Sequence, residues 1–132
     1  MPYLHIRISG ARDDAQARQA ANTAAELTAG ILHKDRALTA VVVEFIEPAH
    51  WFVADHALSA GGPRSYHWYV SITDETNTKA EKARYLKEVH AAMAELKPGL
   101  HEVSYIHLVD ARAAAYGYGG RSQEYRHQQA GV

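Results

Sequence analysis

One pattern limits what this chain can fold into: a strand, a helix and a strand are followed by the same three elements roughly 62 to 64 residues later. In YLHIRIS (3–9), Leu4, Ile6 and Ile8 point one way and Tyr3, His5 and Arg7 the other, the period of a half-buried strand. GARDD breaks that strand, and Asp13 or Asp14 can cap a helix. From about 14 to 32, Ala17, Ala20, Ala24, Leu27 and Ile31 recur at three- and four-residue steps, a stripe small enough to lie close to a sheet. LTAVVVEFIE is rich in β-branched residues and predicts a strand with both faces largely covered, ended by Pro48. The second copy comprises YHWYVSIT (66–73), a helix over 79–96 with Leu86, Val89, Met93 and Leu96 on one stripe, and HEVSYIHLVD (101–110). Strands joined through a helix run parallel with a right-handed crossover. The expected fold is therefore α+β: two β-α-β repeats forming a four-stranded mixed sheet with two helices on one face. The repeats span about 2–62 and 63–121 of a single domain, 1–132. The polar tail 122–132 is either disordered or an arm laid on a neighbouring subunit.

A chain of 132 residues can bury about two-thirds of the surface its unfolded form exposes, so it needs no metal or disulfide to fold. It has no cysteine, which excludes a disulfide framework and a thiolate-ligated zinc site. A net charge of −1 argues against a nucleic-acid partner. No apolar run approaches the roughly 18 residues of a membrane span, and the start lacks a signal-peptide layout. A cytoplasmic protein without a membrane partner is expected. The nine histidines are scattered, with no HxH, HxxxH or HExxH spacing. His101 and His107 share parity but would lie about 20 Å apart along a strand. Neither a metal nor another cofactor is expected, and GYGG suits a tight hairpin better than a phosphate cradle.

Two stretches carry a resemblance to a known family. MPYLHIRIS places Met-Pro directly ahead of the first strand. ARYLKEVHAAMAELKPGLHEVSYIHLVDARAAAYGYGG is similar, without a gap, to the helix, last strand and terminal glycine hairpin of 4-oxalocrotonate tautomerase. SYIHLVDARAAAYGY equally resembles the end of macrophage migration inhibitory factor, and PAHWFVAD looks like the matching hairpin of the first unit without its glycines. Together they resemble a fused, two-unit member of the tautomerase superfamily, over nearly the whole chain to about residue 121. The resemblance implies removal of Met1, a catalytic N-terminal proline, and a homotrimer whose subunits share active sites.

Chemistry gives the proline a plausible task. A free α-amino group has a pKa of about 7.7–8.0, and burial or nearby cations lower it toward ambient pH, where a general base works best. Pro2 could then move a proton between the enol and keto forms of a small keto acid. If Met1 is retained, Pro2 is an amide and has no such capacity; a proline also simply suits the start of an edge strand. By resemblance, Arg12 and Lys34 would hold an acidic substrate. Otherwise Arg12 is an exposed partner of a capping aspartate, and Lys34 meets the helix dipole. Tyr105 and His107 match positions that the macrophage factor lends to a neighbour's pocket, where they would hydrogen-bond a developing enolate or a carboxylate. Their alternative is a half-buried aromatic pair at an interface. Trp51, Tyr116 and Tyr118 fall on the two hairpins, as apolar pocket walls or as ordinary packing.

Two departures from the family pattern bear on the substrate. The mid-strand arginine of 4-oxalocrotonate tautomerase is absent from both copies, where Val42 and Tyr105 stand. TDETNT occupies the place of the arginine pair that dehalogenation of cis-chloroacrylate would use. A cofactor-free tautomerase leads. The alternatives are a dehalogenase, hydratase or decarboxylase on the same scaffold, and a non-enzymatic small-molecule binder. A ferredoxin-like dimeric oxygenase fits the periodicity as well, but leaves Pro2 and the glycine hairpin without a role.

Overall fold

A computed structural model describes residues 2–130. Met1, and with it the question of its removal, lies outside the described residues, as do the last two residues of the tail. In chain order the elements are β1 (Tyr3–Ser9), α1 (Asp14–Leu32), β2 (Ala40–Ile46), β3 (Phe52–Val53), β4 (His56–Ala57), β5 (Tyr66–Thr73), α2 (Lys79–Leu96), β6 (Tyr105–Ala111), β7 (Gly117–Tyr118), β8 (Arg121–Ser122) and α3 (Gln123–Gln129).

Four strands form one mixed sheet in the order β2-β1-β5-β6. Each repeat supplies a parallel pair, β1 with β2 and β5 with β6, and the repeats join through the antiparallel pair β1 and β5. The architecture is the expected α+β one. Strand parity sorts the side chains into two faces. Leu4, Ile6 and Ile8 lie opposite Val41, Val43 and Phe45 on β2 and opposite Val70, Trp68 and Tyr66 on β5. The β1 and β5 residues form the core with Ala20, Ala24 and Ile31 of α1 and with Tyr85, Val89 and Met93 of α2, and the partly buried Val41, Val43 and Phe45 pack against it. The helices thus cover one face. Asp13 caps α1 through the backbone N–H of Gln16 at 3.0 Å, and Thr78 and Glu81 form a reciprocal capping box on α2.

Four features differ from the sequence-based expectation. β2 is covered on one face only: it is a sheet edge, and Val42, 45% exposed, looks outward. On α2 the stripe is rotated, because Tyr85 is fully buried whereas Leu86 is 37% exposed. The reason is polar. The Tyr85 hydroxyl accepts from Trp68 Nε1 at 3.2 Å and bonds Thr28 Oγ1 at 2.9 Å, tying α2 to β5 and α1. β6 begins at Tyr105 rather than His101, because residues 101–104 close a local turn. In that turn His101 Nδ1 accepts from the Val103 N–H at 3.0 Å. Where the tail sequence shows no periodicity, residues 123–129 form the helix α3. Ser122 caps α3, and Arg126 lies 3.8 Å from the Tyr118 ring centroid and donates to the Tyr118 carbonyl.

Each repeat ends in a two-residue hairpin, β3–β4 and β7–β8. Both central residues of each turn have positive φ: Gly119 (63°) and Gly120 (77°) in the second, Ala54 (51°) and Asp55 (66°) in the first. That is the twist a tight hairpin needs. Glycine adopts it freely, whereas alanine does so against its own Cβ.

Candidate functional site

The expected site residues fall at two opposite ends of the sheet. Pro2 precedes β1, is buried, and accepts the Ala40 N–H through its carbonyl at 3.3 Å. Because β1 and β5 are antiparallel, Pro2 is level with the end of β5 and the loop that follows. α1 returns its C-terminus to this end, and Asn77 in that loop donates to the Leu32 carbonyl at 3.0 Å. Lys34 follows α1 and donates from Nζ to Thr76 Oγ1 at 2.8 Å. Burial lowers its pKa from the usual lysine value, against the raising influence of Glu81 and Asp110. Tyr116 reaches the same end from the segment after β6, where its hydroxyl bonds Thr73 Oγ1. Burial raises its pKa, and the bond to Thr73 opposes that rise. Pro2, Lys34 and Tyr116 therefore share one end, together with Thr73 and Thr76. Those two threonines had no signal of their own in the sequence.

At the other end, Trp51, Phe52, Tyr66, Val103, Tyr105 and His107 line a cavity of about 310 Å³, with Ser65 and His67 beside them. The β3–β4 hairpin brings Trp51 and Phe52 to it, and the start of β6 brings Tyr105 and His107. The Tyr105 ring, 63% exposed, stacks on His107 with centroids 6.0 Å apart and planes 16° apart. Tyr105 is level with His67 and so with Arg7, five residues along β1 from Pro2. At about 3.3 Å per residue this is roughly 17 Å. Within one chain Pro2 does not meet Tyr105 or His107. Arg12 also lies beyond this far end of β1; it is 84% exposed and paired with Asp14 at 3.1 Å. Tyr118 stands on the glycine hairpin with Arg126 over one face of its ring.

The sheet face away from the helices is open. Tyr3, His5 and Arg7 lie across from Ala40, Val42 and Glu44 on one side and from Ser71, Tyr69 and His67 on the other, with Tyr105, His107 and Val109 beyond. Among the described residues, no cluster of three or more His, Cys, Asp or Glu is arranged to hold a metal ion, and no helix is long and apolar enough to cross a membrane.

No family model matches the sequence, and no curated protein matches it. Solved structures do match the fold. Pt0534, solved after inactivation by 2-oxo-3-pentynoate, superposes with a TM-score of 0.82 at 14% identity, covering 94% of this chain and 98% of that one. A wild-type fused 4-OT in a symmetric trimer has a TM-score of 0.78 at 14% identity, covering 92% and 98%. A macrophage migration inhibitory factor-like protein from Entamoeba histolytica has a TM-score of 0.74 at 11% identity, covering 92% and 97%.

Proposed function

We propose that this chain, whose fold is that of the fused tautomerases, is a cofactor-free cytoplasmic tautomerase that uses Pro2 as general base once Met1 is removed. The observation that carries this reading is where Pro2 stands. It is buried at the head of a central strand, whereas the second repeat opens on Ser65 and Tyr66. Both copies of the unit fold, so a proline there is not an architectural need. A secondary amine in such surroundings is pushed toward its neutral, basic form.

The substrate class is a small 2-oxo acid and its enol. The neutral Pro2 amine takes the enol hydroxyl proton, and the resulting prolinium returns a proton to the adjacent carbon, leaving the keto form and the free amine. Lys34, at the same end of the chain, supplies a cation for the carboxylate. Tyr105 and His107 come from a neighbouring copy and donate to the developing oxyanion. Arg12 comes from a neighbour as a further cation, and Trp51, Tyr116 and Tyr118 form the walls. The two-ended layout supports a homotrimer, since a complete set needs a second copy. So does the open face, where Tyr3, Val42, Tyr105 and Val109 are each more than a third exposed. The fused 4-OT neighbour is a symmetric trimer.

The test combines intact mass, light scattering and phenylpyruvate enol–keto conversion. The expected protein lacks Met1, has the mass of three chains, and loses at least about 100-fold in kcat/KM on Pro2→Ala. 2-Oxo-3-pentynoate should add whole to Pro2: the amine nitrogen bonds the alkyne carbon remote from the ketone, and a proton moves to its neighbour. Cleaved protein whose activity survives Pro2→Ala overturns the proline mechanism. Retained Met1 without turnover points to the small-molecule binder.

A further inference from the structure

A row of polar side chains crosses the open face of the sheet from β2 to β6: Glu44, His5, Arg7, His67 and His107. Arg7 Nη1 is 3.0 Å from His67 Nδ1, and His67 Nε2 is 3.0 Å from His107 Nδ1. At the β2 end of the row, Glu44 Oε1 lies 2.9 Å from His5 Nε2 and 3.4 Å from Arg7 Nε.

A guanidinium has only donors, and a neutral imidazole has one donor and one acceptor. Arg7 therefore requires the His67 Nδ1 lone pair, and the His67 proton sits on Nε2. That N–H can only donate to His107 Nδ1, so His107 in turn carries its proton on Nε2. One cation thus sets two consecutive tautomers. His107 lines the cavity beside Trp51 and Tyr105, and Nε2–H is the group with which it can meet a ligand. With one ring nitrogen occupied and the other protonated, it offers no lone pair to a metal ion.

We propose that Arg7 and His67 are positioning residues that lock His107 as a neutral Nε2–H donor, so that the cavity receives the carbonyl, enolate or carboxylate oxygen of a 2-oxo acid and not a cation. The choice of ligand rests on the function proposed above; the tautomer lock does not. The surroundings favour the neutral form of His67. His67 faces Arg7 and His5 on β1 and His107 and Tyr105 on β6, with Glu44 farther away on β2. Burial and then the charges of His107, Arg7 and His5 hold its pKa below the ordinary histidine value.

Long-range proton–nitrogen correlation spectra of the histidine rings test the lock directly. At pH 7.5 the wild-type protein should show both His67 and His107 as Nε2–H. His67→Gln keeps the polarity, since its amide oxygen accepts from Arg7 and its NH2 donates to His107. His67→Glu reverses it: the carboxylate accepts from both sides and draws the His107 proton to Nδ1. His107 should therefore stay Nε2–H in the Gln variant and become Nδ1–H, or doubly protonated, in the Glu variant. The KM for phenylpyruvate should rise about tenfold or more in the Glu variant and stay within about threefold in the Gln variant. An Nδ1–H His107 in the wild type, or the same His107 tautomer in both variants, overturns the lock. A flipped tautomer with unchanged KM overturns the assigned ligand. If the spectra follow the expected pattern but the wild type turns over no phenylpyruvate, the proposed reaction fails and the lock stands.

Discussion

His67 makes pH a direct reporter of the open face. Its folded-state pKa is lowered from 6.5, first by burial and then by His107, Arg7 and His5. The unfolded chain therefore binds the proton more readily. His67's contribution to stability is full above 6.5 and is lost as pH falls from there through the lowered folded value. Urea midpoints at pH 7.5, 6.5 and 5.5 should fall with acid, and less steeply in His67→Gln; equal slopes would show that His67 is not the group responsible. This residue also marks the limit of what the sequence discloses. Tyr105 and His107 stand out there because strand parity puts them on one face, and Pro2 because it precedes a strand. His67 carries no such signal. Its partners Arg7 and His107 are 60 and 40 residues away and meet it only through strand register. Thr76 is equally silent until the fold brings Lys34 to it across 42 residues.

Among the elements, one buried hydroxyl ties α2 to both the sheet and α1. Tyr85→Phe keeps the ring but leaves Trp68 Nε1 and Thr28 Oγ1 without their partner. Removing it should destabilise the protein by about 2 kcal/mol, seen as a lower denaturation midpoint at unchanged m-value. A shift of a few tenths would mean that water replaces the hydroxyl. The same contact explains where periodicity misleads. Leu86 is the more hydrophobic residue and completes the predicted stripe, but Tyr85 goes inside because an aromatic ring with a polar tip fills the gap and satisfies two other groups. The positions of β1, α1, β2, β5 and α2 were plain in the pattern, whereas β6 begins four residues later than the stretch that predicted it and α3 had no periodicity to announce it. The β3–β4 hairpin was readable only by its likeness to the second. Ala54 and Asp55 adopt the left-handed turn without the glycines that announce it at 119 and 120.

At the scale of the molecule, β2 carries a lesson about what a sequence records. VVVEFI has the composition of a strand covered on both faces, yet one chain covers only one of them. Were a neighbouring copy of the proposed trimer to cover the second face, the composition would describe the assembly and not the single subunit. The connector between the repeats has a further consequence. No strand or helix spans residues 58–65, and the halves hold each other through the β1–β5 ladder and the contact of α1 with α2. Covalent continuity across Gly61 and Gly62 should thus be dispensable. Residues 1–61 and 62–132, co-expressed as separate chains, should co-purify at equal stoichiometry with the circular dichroism of the parent; recovery of either half alone would refute this. A split version would own two amino termini where the parent has one. The second would lie beside the start of β5, where a designer could install another proline and ask whether one scaffold can run two amine catalysts at once.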